Sequence, residues 1–362
     1  SSITLRIENG ARSKKTPKGA NHMLETVSFP AYADGLAEYE NPEDIICHCR
    51  QMGLDGVETI WGDDDTIDTL PDGFSLGHHL TFFPDWLDFW RGDEKALLRK
   101  FGSREAYTAI YGGTDAETLL NLYRKDLAKA ERLGAKYVVF HVSDVSVEEC
   151  YTYEWEHSHR EVLEASIEVI NILFGERNYP FALLVENQWW PGFTFTSPED
   201  TDYLLRGIRH ENKGIMLDIG HLMNTNTAIE SQADGVSYIH QMLDEHGELC
   251  RHIRGLHLHQ SVSGAYVRAN TGKFPGKLSE DYLARFGEIY GHVLQIDRHQ
   301  PWTDPAIAEA VARISPEFLT HELSCNNRVA RETVVAAQRE TLRKGGLNLP
   351  GGKADPFAPE ML

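Results

Sequence analysis

Short apolar runs alternate with longer amphipathic stretches along the chain from Leu24 onward. Buried parallel strands read as short continuous apolar runs, and the helices that connect them carry apolar residues on one side. Eight runs are candidate strands, at residues 24–29, 53–60, 74–82, 136–142, 181–186, 214–218, 253–259 and 318–322. Eight alternating units predict an α/β fold, a single (β/α)8 TIM barrel.

Three connections are longer than a minimal barrel needs, at residues 81–113, 143–157 and 260–279. Each follows a candidate strand, so we expect these long βα loops at the C-terminal face of the barrel, where TIM barrels build their sites. We divide the chain into a basic N-terminal arm (residues 1–22), a catalytic barrel (residues 23–343) and a Gly- and Pro-rich C-terminal tail (residues 344–362).

Composition narrows the classes of partner. The chain has 362 residues and a formal net charge of −20, which argues against duplex DNA or an anionic membrane as its partner. Its five scattered cysteines form no disulfide pattern, and no apolar run is long enough for a membrane span. We therefore expect a cytoplasmic protein with a small-molecule substrate. Seventeen His and seven Trp are the unusual feature of the composition.

Polar side chains stand where seven of the candidate strands end. They are Glu58, His78, His79, His141, Glu186, Asp218 with His221, His257, His259 and Glu322. Burying one such group without a partner costs several kcal/mol, so the whole set needs a shared reason. A divalent cation at the barrel mouth supplies that reason.

Glu186, Asp218 and Glu322 with one imidazole are donors that suit a hard divalent ion. His257 and His259 are two residues apart on one strand, so both point to the same face. We favour His259 as the metal ligand because it is nearer the end of the strand, and His257 is the alternative. We expect one divalent cation, with Mn²⁺ favoured and Mg²⁺, Co²⁺ or Zn²⁺ as alternatives.

Five motifs in order resemble the xylose isomerase-like barrels, a superfamily of sugar isomerases, sugar epimerases and endonuclease IV nucleases. They are MGLDGVE at the second strand, VEN at the fifth, LDIGH at the sixth, LHLH at the seventh and HELS at the eighth. The resemblance covers residues 24–339. It implies one metal held by Glu186, Asp218, His259 or His257, and Glu322, with His221 on a substrate oxygen.

The resemblance to the epimerases implies a keto sugar that loses a proton next to its carbonyl. Glu186 and Glu322 are then the candidate base and acid, and His141 is a third candidate base that Asp144 could orient. We also expect His79, Asp297 and His299 near the substrate. A metal-dependent sugar isomerase or epimerase is the function that the sequence favours.

Endonuclease IV is the alternative from another class, because nucleases of that type hold three zinc ions and carry a D-x-H motif after the seventh strand. Asp297-Arg298-His299 resembles that motif, and His79, His141 and His221 stand at comparable positions. Two features weigh against a nuclease. The motif lies about forty residues past the strand, and the net charge is −20.

Tryptophans in the long loops suggest what the mouth binds, because aromatic faces stack on sugar rings and on flat aglycones. The candidates for substrate binding are Trp189, Trp190 and Trp302. The Trp-rich loops also resemble the larger subunit of C-glycoside deglycosidases, which implies a carbon–carbon lyase with His141 as base. That alternative implies a smaller partner subunit, whereas the isomerase implies a homo-oligomer. A sugar-binding barrel without catalysis is the remaining alternative.

Overall fold

The computed structural model describes residues 22–60, 69–274 and 276–350. Eight strands close into a barrel in chain order, and each neighbouring pair is parallel. The strands are β1 (Leu24–Pro30), β2 (Gly56–Ile60), β3 (Ser75–His79), β4 (Tyr137–His141), β5 (Ala182–Glu186), β6 (Lys213–Asp218), β7 (Ile253–Leu258) and β8 (Phe318–His321). The predicted TIM barrel is confirmed. Strand β2 begins three residues later than predicted, because Gly53 has a φ of 79° and turns the chain after the preceding helix.

Helices follow most strands and cover the barrel. They are α1 (Ala33–Leu36), α2 (Pro42–Gln51), α3 (Leu87–Arg91), α4 (Glu94–Phe101), α5 (Arg104–Tyr111), α6 (Ala116–Arg132), α7 (Glu149–Thr152), α8 (His159–Gly175), α9 (Pro198–Gly207), α10 (Ile219–Asn224), α11 (Gln232–His246), α12 (Gly264–Asn270), α13 (Tyr282–Ile296), α14 (Ile307–Ile314) and α15 (Arg328–Lys344). The long loops after β3, β4 and β7 thus contain helices of their own. No helix among the described residues is long and apolar enough to cross a membrane.

Side-chain alternation along the strands explains where the polar residues lie. Leu184 and Met216 belong to a buried cluster, and Glu186 and Asp218 follow each of them two residues later. Residues two apart on a strand point to the same face, so both carboxylates continue the same inward-facing rows. The inward rows are therefore apolar in the body of the barrel and polar at its C-terminal mouth.

The long segment after β7 begins and ends at the same place in the structure. Gln260 and Gln300 pair in an antiparallel bridge, with N–O distances of 2.8 and 3.1 Å in the two directions. The Arg298 amide also donates to the Ser261 hydroxyl at 2.9 Å. The segment 261–299, with α12 and α13, is therefore a closed loop whose last residues lie beside the end of β7.

The domain boundaries remain predictions. Residues 1–21 of the expected arm and residues 351–362 of the expected tail lie outside the described residues. All five cysteines are free thiols, in agreement with the absence of a disulfide pattern in the sequence.

Candidate metal centre

Three groups of buried and half-buried His, Asp and Glu side chains meet at the mouth of the barrel, and in each group the potential ligand atoms lie within 4.8 Å of one another. The first group is His79, His141 and Glu186; the central group is Glu186, Asp218, His257 and Glu322; the third group is His221, His259, Asp297 and His299. Glu186 belongs to two of these groups. The mouth is thus one continuous arrangement of potential metal ligands.

The first group comes from the last residues of three adjacent strands, β3, β4 and β5. The Nε2 atoms of His79 and His141 are 3.0 Å apart, and they lie 3.1 and 3.0 Å from Oε2 of Glu186. Neighbouring parallel strands end at the same edge of a barrel, which brings the three side chains together.

The central group gathers around Nδ1 of His257. This nitrogen lies 3.3 Å from Glu186 Oε1, 3.3 Å from Glu322 Oε2 and 3.7 Å from Asp218 Oδ2. The Glu322 Oε2 atom is buried and has no hydrogen-bond partner. An unsatisfied buried carboxylate oxygen is costly, and a cation among these four side chains would satisfy it.

The third group combines the start of α10 with the DRH segment. Asp218 caps α10 by accepting a hydrogen bond from the His221 amide, which places His221 beside the mouth. Asp297 Oδ2 then lies 3.2 Å from His221 Nε2 and 2.7 Å from His299 Nε2. His299 has a φ of 47°, a left-handed conformation that costs energy for a residue with a side chain.

Hydrogen bonds on the far side of the imidazoles fix their orientation. Three of these rings place Nδ1 against a backbone carbonyl oxygen: His79 on Leu80 at 2.9 Å, His221 on Asn187 at 2.9 Å and His299 on Glu322 at 3.0 Å. When Nδ1–H donates to the carbonyl, the neutral ring keeps its lone pair on Nε2, which faces the group. This arrangement is typical of histidines that ligate metals.

Two carboxylates are shared between groups. Oε2 of Glu186 faces the first group, whereas its Oε1 lies 3.3 Å from Nδ1 of both His257 and His221. Oδ2 of Asp218 lies 2.9 Å from Nε2 of His259 in the third group and 3.7 Å from His257 in the central group. Shared carboxylates of this kind can bridge neighbouring cations.

The pKa shifts indicate that positive charge stabilises the carboxylates of the three groups. Burial would raise the pKa of Glu186, but the imidazoles of His141 and His257 hold it well below its usual range. Burial would lower the pKa of His257, but Glu58, Glu322 and Glu186 raise it well above its usual range. Without a metal ion, protons on the imidazoles neutralise the carboxylates, and a divalent cation can take over that role.

A model of the xylose isomerase-like TIM barrel family matches residues 47–343. The chain belongs to that family. No curated protein matches the sequence significantly. The family explains the barrel and the position of the site, but it contains several kinds of enzyme and does not select one reaction.

Solved structures with the family's barrel are similar to this chain at low identity. A D-tagatose 3-epimerase-like protein has a TM-score of 0.46 and 15% identity, covering 89% of this chain and 98% of its own. Endonuclease IV from Thermus thermophilus has a TM-score of 0.46 and 16% identity, covering 89% and 99%. The IOLI protein with a zinc atom has a TM-score of 0.48 and 15% identity, covering 89% and 96%. At these values the likeness carries no argument about activity.

The structure brings together every His, Asp and Glu residue predicted for catalysis, metal binding or substrate binding. Of the wider set at the strand ends, Glu58 lies outside the three groups, and His78 lies away from them with its Nε2 3.4 Å from Asp126. The structure places His257 in the central group and His259 in the third group, so the geometry favours the alternative to the ligand that we preferred from the sequence. Asp144 does not orient His141, because its Oδ1 accepts hydrogen bonds from the Trp86 and Leu87 amides.

The three predicted tryptophans occupy different positions. The Trp189 ring lies 5.2 Å from the His221 ring, and Trp190 packs on Trp189 at 4.3 Å. Trp302 is fully buried and donates to the His259 carbonyl oxygen at 2.9 Å. It therefore does not face the mouth as predicted for substrate binding, but supports His259 from behind.

Sequence reasoning missed two residues of the site. Phe82 is 43% exposed and its ring lies 4.0 Å from the His141 ring, so it forms part of the surface around the mouth. Gly220 packs so closely on His259 that an added Cβ would lie 2.0 Å from its Cε1. The glycine of the LDIGH motif was visible in the sequence, but its contact with a residue that follows β7 was not.

The donors of the three groups fit divalent cations. Three carboxylates and one imidazole in the central group suit Mn²⁺ or Mg²⁺, whereas the imidazole-rich first and third groups suit Zn²⁺ or Fe²⁺. The single Mn²⁺ expected from the sequence corresponds to the central group alone. The identity and number of the ions remain predictions.

Proposed function

We propose that this protein is a hydrolase that uses two or three divalent cations at the barrel mouth to cleave a phosphate ester of a small molecule. The observation that carries the proposal is the position of Glu186, whose two carboxylate oxygens face two different groups of imidazoles. A mononuclear centre needs only the central group. In a centre with one ion, the residues of the first and third groups would serve only as substrate contacts or bases.

Neighbouring divalent cations about 3.5–4 Å apart are typical of phosphatases and nucleases, where they activate water and stabilise both the attacking and the leaving oxygen. Glu186, through its two oxygens, and Asp218, through Oδ2, would each contribute to two neighbouring groups. Glu322 is 15% exposed, and burial raises its pKa. A carboxyl group whose pKa is raised is the kind of group that can donate a proton to a leaving oxygen.

A small substrate fits the surroundings of the mouth better than a nucleic acid. The formal net charge of −20 opposes the binding of a DNA backbone. Phe82 and Trp155, exposed by 43% and 36%, offer aromatic faces on the loops after β3 and β4. These faces favour a substrate with a sugar ring or a flat organic group beside its phosphate.

Metal analysis tests the proposal at the third group. Purified protein is loaded separately with Zn²⁺ and Mn²⁺, and the ions per chain are counted by mass spectrometry for the wild type and for Asp297→Asn. We expect two or three ions in the wild type and one fewer in the variant. Hydrolysis of aryl phosphate monoesters and diesters is measured on the same samples.

Asp126→Asn is the matched control, because Asp126 is also a fully buried carboxylate beside an imidazole, with His78 Nε2 at 3.4 Å. This control should keep the ion count of the wild type. A wild type that binds a single ion and hydrolyses no phosphate ester would overturn the proposal.

A keto-sugar isomerase, epimerase or lyase is the second candidate, and His141 is the observation that favours it. Burial lowers the pKa of His141, which therefore stays neutral at pH 7, and its side chain is 13% exposed beside Phe82. A neutral imidazole at the mouth could remove a proton next to a carbonyl or from a phenol. Solvent deuterium in a keto sugar would support the epimerase, and aglycone release from a 3-oxo-C-glucoside, with a small subunit present, would support the lyase.

A further inference from the structure

We propose that Glu58 is a positioning residue that fixes the orientation of His257 and so sets the metal affinity of the central group. The inference rests on the metal binding in the proposed function, but it does not depend on which reaction the centre catalyses. Glu58 itself lies in the barrel interior and is not one of the residues whose ligand atoms form the three groups.

Glu58 and His257 are both fully buried, and their side chains meet across the barrel from β2 and β7. Nε2 of His257 lies 2.8 Å from Oε1 of Glu58. A hydrogen bond at this distance to a carboxylate places a proton on Nε2, so Nδ1 is the nitrogen that offers its lone pair when a metal ion replaces its own proton. Nδ1 is the atom that faces Glu186 and Glu322 at 3.3 Å.

The other oxygen of Glu58 is held by two hydroxyl groups. Oε2 accepts hydrogen bonds from Tyr137 at 2.6 Å and from Thr320 at 2.9 Å, and the Thr320 hydroxyl lies 2.9 Å from that of Thr26. Gly77 makes room for this arrangement, because an added Cβ would lie 2.2 Å from Cζ of Tyr137. Residues of five strands, β1, β2, β3, β4 and β8, thus keep the carboxylate in one position.

A purely structural role explains this network poorly. Taking a carboxylate and an imidazole out of water costs several kcal/mol per ion, and apolar side chains would fill the same space without that cost. A carboxylate behind a metal-binding imidazole has a specific effect. It fixes the ring, raises the basicity of the nitrogen that faces the metal, and its loss typically weakens metal affinity about 10–100-fold.

The variant Glu58→Gln removes the charge and keeps nearly the same volume. Metal affinity is measured for each ion by competition with a chromophoric chelator, using Zn²⁺ and Mn²⁺. We expect one ion to bind about 10–100-fold more weakly in Glu58→Gln, with smaller changes for the remaining ions. Long-range ¹H–¹⁵N spectra of the Zn²⁺-loaded wild type should show His257 protonated at Nε2 and metal-bound at Nδ1.

Glu25→Gln is the matched control. Glu25 is also a buried strand carboxylate paired with an imidazole, since His321 Nε2 lies 3.1 Å from its Oε2. Arg339 holds it at the other side, and Glu25 stands at the N-terminal end of β1. Glu25→Gln should keep the metal affinity of the wild type, even if its stability falls. Thr320→Val, which removes one hydrogen bond to Glu58 and no charge, should weaken one site by a smaller factor and serves if Glu58→Gln does not fold.

The outcomes separate this inference from the proposed function. Equal affinities in the wild type, Glu58→Gln and Thr320→Val would overturn the role of Glu58 and leave the proposed function intact. Spectra with the metal on Nε2 of His257 would do the same. A wild type that binds neither Zn²⁺ nor Mn²⁺ would overturn the proposed function and this inference together.

Discussion

Gly220→Ala tests whether the packing of α10 on the end of β7 builds the third group. The Cβ of an alanine at this position would lie 2.0 Å from Cε1 and 2.3 Å from Nδ1 of His259. A Cβ is essentially never found closer than 3.0 Å to another heavy atom, so the imidazole or the helix must move by about 1 Å or more. His259 Nε2 is 2.9 Å from Asp218 Oδ2, and a shift of that size breaks this contact.

The expected loss of stability is small because two effects oppose each other. Overpacking a buried position costs about 1–3 kcal/mol. Replacing glycine by alanine in a helix stabilises the folded state by about 1 kcal/mol. We therefore expect Gly220→Ala to lose about 0–2 kcal/mol of unfolding free energy, while the third group loses its ability to hold an ion.

Urea denaturation and the ion count per chain measure the two effects separately. Gly287→Ala in α13 is the matched control, because a Cβ there meets no atom within 4 Å. The control should gain about 1 kcal/mol and keep its ions. A Gly220→Ala variant with the ion count and affinities of the wild type would refute the reasoning from packing.

Three further predictions concern charge and substrate contact. Burial alone would lower the pKa of His299, but the adjacent carboxylate of the DRH motif raises it to about 10. The contribution of His299 to the stability of the metal-free protein should therefore be complete below pH 6.5 and lost as the pH rises through 10. Denaturation in the presence of chelator should show this loss of stability and metal-loaded protein should not, and its absence in chelator would contradict the prediction. Lys100→Met, which leaves two buried aspartates without their cation, should lose about 3–5 kcal/mol in urea denaturation, whereas Lys277→Met on the surface should lose nothing measurable. Phe82→Ala should raise KM for aryl phosphates several-fold at nearly constant thermal stability, and an unchanged KM, equal to that of the exposed control Leu98→Ala, would count against a contact with substrate.

The barrel could be predicted from the sequence because the signal is repeated eight times. Each strand is a short apolar run, and seven of them end at or beside a polar side chain of the predicted site. Small errors at the ends of strands, as at Gly53, leave the number and order of the strands unchanged. Side-chain alternation then places the residues at the strand ends on the inner face of the barrel.

The division of the site into groups could not be predicted from the sequence. Alternation places His257 and His259 on the same face but says nothing about the carboxylate behind each ring. Glu58 lies about two hundred residues before His257, and only the closed barrel brings the two together. For the same reason the sequence could not show which of the two histidines joins the central group.

The number of residues between β7 and the DRH motif does not measure their separation in space. The pairing of Gln260 with Gln300 closes the long segment after β7, so Asp297 and His299 return to the mouth despite the roughly forty residues between. The closure of a long loop costs little more than that of a short one, since the entropy grows only with the logarithm of its length. Residues far along the chain can therefore lie beside a strand end when the loop before them closes on itself.

Protons and metal ions are alternative ways to neutralise the same carboxylates at this mouth. In the metal-free protein, burial lowers the pKa of four of these rings, but the carboxylates outweigh it and raise the pKa above its usual value, which favours the protonated form; the rings are those of His79, His221, His257 and His299. A metal ion needs the lone pair that each of these protons occupies, and binding must release them. Because Glu186 and Asp218 are shared, an ion in one group also changes the charge available to the next. Under the proposed function, the three groups would act as one coupled centre, and the affinity for each ion would depend on the occupancy of its neighbours.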